Sequence, residues 1–544
     1  MANFVDTNSG FCSETMTFHS LRPPIPLPLE SAPVSITDFV FSLLHSSPPS
    51  FTAIALIDAT TRRSILYPEM ISRFENLVTS LGTHFGLCKG DCAFVFCSNN
   101  IYTPILYLSL FSLGVVISPV NPAATVPEIH HQIRLSKPAI AFASSDSAHK
   151  IPSLKHGIVT IDSVEFESLM ESQSEKNGKE GIKVNQSDVA TILYSSGTTG
   201  RVKGVALTHR NWVATIAGGM RPVRNFPIFA FCTVPLFHAY GLAFSLRALA
   251  SGDCVVIMGG GRTFDLRKMY RVVEEYRVSH LALAPPLVVT MVRDAEIMYA
   301  YDLSSLEVVV CGGAHLSKSM IQRLRQRLPK VQLAQSYGLT ETTGRVFGTM
   351  GPDESRLEGA TGKLMANCEA KIVDPETGAA LPPSMPGELW VRGALVMKGY
   401  VDDEEATAAT LDTEGWLRTG DLCYINNEGF LFFVDRIKEL IKYKGYQVAP
   451  AELEHLLNSY PDVVEAAVVP FPDEEAGQVP VAFVVKQSGS SIDESKLKDF
   501  VAQQVSPYKR IRRVMFIDSL PKSASGKVLR KDLVIKLSSA TSKL

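Results

Sequence analysis

Short apolar runs alternate with segments whose apolar residues recur every three or four positions, from about residue 36 to residue 435. Asp188–Tyr194 reads as a strand, a glycine-rich turn follows, and Thr208 stands where it can cap a helix beginning at His209. Leu306–Cys311 reads as another strand. Gly312-Gly313 comes next, then Ser317 as cap of a helix whose Met320, Ile321, Leu324 and Leu328 share one face. Strand, turn and helix in succession predict α/β layers with largely parallel sheets. Ile101–Val120 is apolar enough to suggest a membrane span, but Pro104, Gly114 and Pro119 interrupt it. The helical spacing of Ile101, Ile105, Leu108 and Phe111 gives way to the β-branched run Val115–Ile117, so a buried helix leading into a buried strand is expected, with no membrane span.

Beyond Asp435-Arg436 the pattern changes. Pro450 can open a helix, two β-rich segments follow (463–471 and 479–486), and 495–505 is again helical. That is a small α+β unit of ordinary domain size. The expected organisation is an N-terminal arm over 1–35, polar and proline-rich and lying on the surface, then a large α/β domain over 36–436. A small α+β domain over 437–541 and a terminal tripeptide, 542–544, complete it. Residues 171–187 are polar and aperiodic and read as an exposed loop.

Composition narrows the class. The chain is 46% hydrophobic and 20% charged, the balance of a globular protein, and its formal net charge of −2 comes without a sustained basic run, which argues against a nucleic-acid partner. Cys88, Cys92 and Cys97 cluster without a second Cys/His group at zinc-finger spacing, so reduced thiols are expected rather than a metal site. The first twenty residues lack the pattern of a secretory signal. The last three, Ser542-Lys543-Leu544, match a peroxisomal address, which predicts peroxisomal location and an import receptor as partner. No structural role is evident for the polar tail that begins at Leu537.

The most specific stretch is Tyr194–Gly204. Glycines at 197, 200 and 204 let the backbone turn tightly, while Ser195, Ser196, Thr198 and Thr199 offer hydroxyls and Lys203 a cation. A glycine-rich turn with free N–H groups between a strand and a helix is an anion site. It is not the Walker pattern, because the Gly-Lys-Ser/Thr ending is missing.

This turn resembles the phosphate-binding signature of the adenylate-forming (acyl-activating) superfamily, and further resemblances follow in order. Gln335–Glu341 is similar to the family's adenine and magnesium motif, Trp416–Asp421 to its ribose motif and Val434–Arg436 to its interdomain motif. Lys442–Gln447 and Pro521–Lys527 complete the set. The resemblance implies a large α/β N-terminal domain and a small mobile α+β C-terminal domain. It implies a reaction in which a carboxylic acid meets ATP to give an acyl-AMP, with coenzyme A then displacing AMP.

By the same resemblance Glu341 holds Mg2+, Thr340 touches a phosphate, and Lys527 contacts the carboxylate and the α-phosphate. Asp421 accepts from both ribose hydroxyls, as an acceptor-only group can, and Arg436 touches the ribose. The nucleotide-binding set includes Gln335, Ser336, Tyr337 and Gly338. Lys442 and Gln447 contact the acyl-adenylate, Lys444 and Gly445 meet coenzyme A, and the small domain turns about Lys438. The acid's pocket is expected from Phe237, His238, Tyr240, Phe244, Gly312, Gly313, Ala314 and Val346.

Within the superfamily the chain is most similar to plant 4-coumarate–CoA ligases and their peroxisomal relatives, through Asp435–Glu452. It departs from the phenylpropanoid enzymes at Gly387–Gly393 (GELWVRG for GEICIRG), at Ser336 for glycine, at His315 for proline, and at Phe244 for a polar residue. These departures leave open a hydroxycinnamate or cinnamate-type acid, a jasmonate precursor or a fatty acid. A monomer is expected. The rival readings are a luciferase-like oxygenase, whose paired histidines the segment 237–244 lacks, and a silent binder, which would be expected to lose Glu341, Asp421 or Lys527.

Overall fold

Ten successive residues, Thr103–Ser112, form a helix buried on every side, with Pro104 in its first turn where a missing N–H costs nothing. The chain turns at Gly114 into the strand Val116–Pro119, so the apolar run of 101–120 is interior structure. No helix among the described residues is long and apolar enough to cross a membrane. The computed structural model describes residues 5–171, 182–195, 202–220, 228–259, 265–314, 316, 318–444, 446–523 and 526–541. Ser196, Gly197, Thr198, Thr199, Gly200, His315, Ser317, Gly445 and Ser542–Leu544 lie outside them, as does most of the expected loop over 171–187.

Two sheets carry the parallel strands the sequence predicts. In a seven-stranded sheet Ile158–Thr160, Ile140–Ala143, Cys92–Phe96, Val116–Pro119 and Val189–Ser195 run parallel in that order. Lys203–Thr208 and Gly399–Tyr400 add antiparallel at the edge. Thr208 caps the helix His209–Ala217 in a reciprocal box with Asn211, which fixes how the chain leaves the strand. In a nine-stranded sheet Ile54–Asp58, Cys254–Ile257, Phe229–Cys232, His280–Leu283, Val308–Cys311 and Gln332–Leu339 are parallel. Gly344–Gly348 and Lys363–Leu364 extend one edge antiparallel.

A third sheet has six antiparallel strands in the order Phe11–Cys12, Thr17–His19, Cys368–Val373, Gly387–Gly393, Leu417–Ile425, Leu431–Arg436. It corrects two expectations. The sheets are not all largely parallel, and residues 1–35 are not simply a surface arm. Phe18 is 1% exposed, its ring packs on Phe11 at 4.9 Å, and this hairpin supplies two strands. The proline-rich remainder is tied down too, because Arg22 bonds Glu354 and the Gly348 carbonyl, each at 2.8 Å.

After Arg436 the chain builds a five-stranded sheet from Ile441–Tyr443, Tyr446–Val448, Val463–Asp473, Gly477–Lys486 and Arg513–Phe516. The helices Pro450–Ser459 and Glu494–Ala502 close one apolar cluster against it. A second cluster on the other face takes Leu533 and Leu537 from the helix Arg530–Thr541. The tail that seemed to lack a structural role therefore starts inside a helix, anchored by leucines four apart.

Candidate active site

Parallel α/β sheets leave a crevice at the carboxyl ends of their strands. Here a cleft of about 2130 Å³ opens at that edge, lined from the large domain's sheets and, from the far side, by Ser523, Gly526 and Lys527. Loops from many strands converge on it because turn residues at strand ends are free to face solvent.

One wall is built around Asp421. It lies in the strand Leu417–Ile425 directly opposite Arg436 on the neighbouring strand. Its carboxylate, on a residue 3% exposed, accepts a hydrogen bond from Tyr337 Oη at 2.7 Å and pairs with Arg436 Nε at 3.6 Å. Burial pushes its pKa up, and Arg436, Tyr337 and Lys527 oppose that shift. The Tyr337 phenol is driven well above its ordinary pKa by burial and by Asp421, so it stays a donor.

Glu341 sits in a single 3₁₀ turn, Thr340–Thr342, at the end of Gln332–Leu339. Thr342 Oγ1 receives the Leu339 N–H at 2.9 Å, and Thr343 takes the left-handed conformation that ends the turn. Glu341 is 8% exposed; its Oε1 accepts from Tyr400 Oη at 3.0 Å and its carbonyl from the Met397 N–H at 2.8 Å. The Lys203 ammonium stands 4.5 Å from the centre of the Tyr400 ring, and Lys203 pairs across strands with Ser195. Mg2+ is held in such sites by one or two carboxylates together with phosphate oxygens and water. Glu341 fits that requirement: an oxygen donor on the cleft wall, with no group of three or more His, Cys, Asp or Glu among the described residues that could hold a metal without a substrate.

Lys527 follows the turn at Gly526, and its backbone is fastened to Ser523 by a pair of hydrogen bonds. Its side chain is open to the cleft but hemmed in by protein. That enclosure, with Arg436 close by, lowers its pKa, while Asp421, Glu341 and Glu439 work in the other direction. His238 stands at the N-cap of the helix Ala239–Ala250, and burial plus the nearby Lys527 lower its pKa to about 4. Its imidazole is therefore neutral at pH 7. Phe237, Tyr240, Phe244, Gly312, Gly313 and Ala314 line the cleft with it, with Tyr240 Oη donating to the Val310 carbonyl at 2.8 Å.

Ser195, Lys203, Ser336, Tyr337, Gly338, Thr340, Glu341, Asp421, Arg436, Lys438 and Lys527 all line this cleft. Other expected residues do not. Val346 is fully buried in the main core and Gln335 points the other way, its amide on the Ala360 carbonyl at 3.0 Å. Strand periodicity is the reason, since their neighbours Arg345 and Ser336 take the cleft face. Lys442, Lys444 and Gln447 are exposed on the hairpin 441–448, away from the cleft wall.

Several residues at the site have no role that the motifs announce. Tyr400 is a lone tyrosine 59 positions from Glu341, without any local signal. Asp435 adjoins Arg436 on one strand, and both line the cleft. Asp435 is 1% exposed and accepts the N–H groups of Arg436 at 2.7 Å and Ala451 at 2.8 Å. Burial pushes its pKa up to about 6. Arg530 forks onto Glu454 at 2.8 and 2.9 Å and also bonds Glu439, tying the segment after Lys527 to the turn that holds Lys438.

Residues 47–401 match the AMP-binding enzyme family and residues 452–527 match the AMP-binding enzyme C-terminal domain. The chain is similar to 4-coumarate–CoA ligase-like 9 of Arabidopsis thaliana, with 46% identity across 98% of this chain and 97% of that one. It is 45% identical to the peroxisomal OPC-8:0-CoA ligase 1 of the same plant, across 99% of this chain and all of the relative. Among solved structures, ATP-bound MatB from Rhodopseudomonas palustris superposes with a TM-score of 0.82 at 25% identity, covering 92% of this chain and 99% of that one. The o-succinylbenzoate CoA synthetase of Bacillus subtilis, in complex with its acyl-adenylate, gives 0.77 at 26% identity, covering 91% and 97%.

Proposed function

The chain belongs to the AMP-binding enzyme family and is an acid–thiol ligase of the acyl-CoA synthetase type, and on that premise we propose that it activates an extended carboxylic acid in the peroxisome. The acid is a fatty acid or a jasmonate-precursor type rather than a hydroxycinnamate. The observation that carries this reading is the depth of the cleft on the acid side, which continues past Gly312 along the strands Val308–Cys311 and Gln332–Leu339. The peroxisomal location and the acid in the name of the similar OPC-8:0-CoA ligase, and Ser542–Leu544, support it.

In the first half-reaction an oxygen of the substrate carboxylate bonds the α-phosphorus of ATP, and the bond to the bridging oxygen of diphosphate breaks. Two anions approach, and like charges about 4 Å apart repel by roughly 4 kcal/mol at an effective dielectric near 20. Lys527, whose ammonium feels the charges of both Asp421 and Glu341, offsets that repulsion at the reacting carboxylate and α-phosphate. Mg2+, when bound, would supply further charge neutralisation at the phosphates, held there by Glu341, while Thr340 touches a phosphate. Ser195, Lys203 and the turn Ser196–Gly200 cradle the phosphates, and Asp421 with Arg436 holds the ribose. Asp421 is already fixed by Tyr337, so it meets the ribose hydroxyls without first having to be ordered.

In the second half-reaction the sulfur of coenzyme A bonds the acyl carbon, the C–O bond to AMP breaks, and the thiol proton leaves to water. Lys444, Gly445, Lys442 and Gln447 serve this half, brought to the cleft by rotation of residues 437–541 about Lys438. The enzyme acts as a monomer, and an import receptor reads its last three residues.

AMP release by the purified protein with ATP, Mg2+ and coenzyme A, measured against hydroxycinnamates, cinnamate, fatty acids and jasmonate precursors, tests the reading. Thiol-dependent release confined to the extended acids is expected. Release with hydroxycinnamates alone would replace the proposed substrate class.

A further inference from the structure

The strand Gly387–Gly393, whose sequence GELWVRG departs from the phenylpropanoid pattern, runs beside the strand that carries Asp421. The two do not pair evenly. Trp390 stands opposite Arg418 and Glu388 opposite Leu422, so one strand takes four steps where its neighbour takes two. The slack falls at Thr419, Gly420 and Asp421 as a bulge, a device that re-aims a side chain and leaves backbone groups unpaired. On the opposite flank the register shifts again between Leu422 and Cys423. Asp421 is bracketed by these two breaks, so the ladder alone does not fix where its carboxylate points.

Side chains hold the bulge instead. Glu388 Oε1 accepts the Gly420 N–H at 3.0 Å, and its Oε2 accepts the Trp390 indole N–H at 2.8 Å. Thr419 Oγ1 donates to the Leu389 carbonyl at 2.6 Å and accepts the Asp421 N–H at 3.2 Å. Peptide groups of the bulge thus find partners. Gly420 has φ +70° and open space where a Cβ would be, so its bond to Glu388, rather than packing, steadies the turn. Trp390 stands where the phenylpropanoid pattern has cysteine, a much weaker donor. Its ring lies under the Arg418 guanidinium at 4.8 Å. The indole therefore orients Glu388 much as Tyr337 orients Asp421.

We infer that Glu388 is a positioning residue: by fixing the turn at Gly420 it sets Asp421 for the ribose hydroxyls, and Trp390 in turn fixes Glu388. A carboxylate that accepts from two hydroxyls of one ring has to be held to within about 0.5 Å. This rests on the ligase reading above, in which Asp421 holds the ribose.

Diphosphate exchange by the full-length enzyme with ATP and with 2′-deoxy-ATP, run across the acid panel, tests it. The wild type is expected to favour ATP by about 10–100-fold in kcat/KM, the size of a hydrogen bond to a charged acceptor. Glu388→Ala should raise the KM for ATP about 10-fold and bring the preference to within about 3-fold. Trp390→Phe keeps the ring and loses only the N–H, and should reduce the preference by about 3-fold. Combined with Asp421→Asn, either variant should raise the KM for ATP no further, because both act on one contact. Where the alanine variant does not fold, Trp390→Phe, alone and combined with Asp421→Asn, decides. A preference kept in the single variants with only overall rate lost, or KM effects that multiply in the double variant, would mean that Glu388 merely supports the sheet, and the inference falls. It falls as well if the wild type does not distinguish the two nucleotides while exchange proceeds. If no acid supports exchange with either nucleotide, the ligase reading is what fails, and this inference goes with it.

Discussion

The two ends of the cleft are built in opposite ways. At the end proposed for the nucleotide, polar side chains are already engaged by one another: Asp421 by Tyr337 and Arg436, Glu341 by Tyr400, and Lys203 by the Tyr400 ring. At the acid end the space comes from side chains that are missing or small, at Gly312, Gly313, Ala243 and Ala334, and from one stripe of the helix Ala239–Ala250. Position is fixed in advance where the chemistry is common to all substrates, and shape decides where it is not. A pre-engaged group tolerates almost no substitution, whereas a passage can be retuned by a methyl group.

The sharpest way to break this contrast is Lys527→Ala. Losing the cation should lower diphosphate exchange by about 10²–10³-fold for every acid in a panel, while transfer to coenzyme A from a supplied acyl-adenylate survives. Equal loss of both halves in a folded protein would refute that division. Next comes Asp421→Asn, which keeps the shape but replaces an acceptor-only group. The KM for ATP is expected to rise about 10–100-fold with acid preference untouched, and a changed acid profile would show that the two ends are not independent. Gly312→Ala acts on the other end. Its new Cβ would stand 2.4 Å from Ser336 Oγ and must push that side chain aside. Selection should move toward slimmer acids by about 10-fold, with the KM for ATP nearly constant.

The smallest effect is in pH. The pKa of His238 is lowered in the folded state to about 4, so folding favours its neutral form. The stability tied to it is present above the ordinary value near 6.5 and lost as pH falls from there toward 4. Between pH 6 and 8 the rate of adenylation is expected to show no limb from this histidine, and His238→Gln should leave the shape of the profile there as it was. A limb near 6.5 that vanishes in the variant would restore a general-base role.

The same contrast explains what could be read from the chain. The nucleotide end is legible because its polar residues come in local groups: the hydroxyl and glycine turn at 194–204, the stretch 335–341, the strand end at 421 and the turn before Lys527. Strand and helix signals such as Asp188–Tyr194 and the Thr208 cap were equally local, and the structure shifts them by a residue or two at most. What escaped depends on long-range pairing. The antiparallel sheet joins Phe18 to Ala370, and Tyr400 meets Glu341 from another sheet, with nothing in either neighbourhood to announce it. Gln335 and Val346 were misplaced by one step of alternation, since a short motif read as a block ignores which residues turn to the opposite face.

Tyr400 has a consequence for temperature. It ends an edge strand of the seven-stranded sheet, whereas Glu341 hangs from the end of a strand in the nine-stranded one, and a side-chain bond of 3.0 Å joins them, beside the backbone bond from the Met397 N–H to the Glu341 carbonyl at 2.8 Å. Warming loosens packing between layers before the strands themselves melt, so this bond is an early point of failure. Catalysis is expected to fade with heat several degrees before the protein unfolds, and the thermal optimum of the enzyme then reports the seam between its sheets rather than the strength of either.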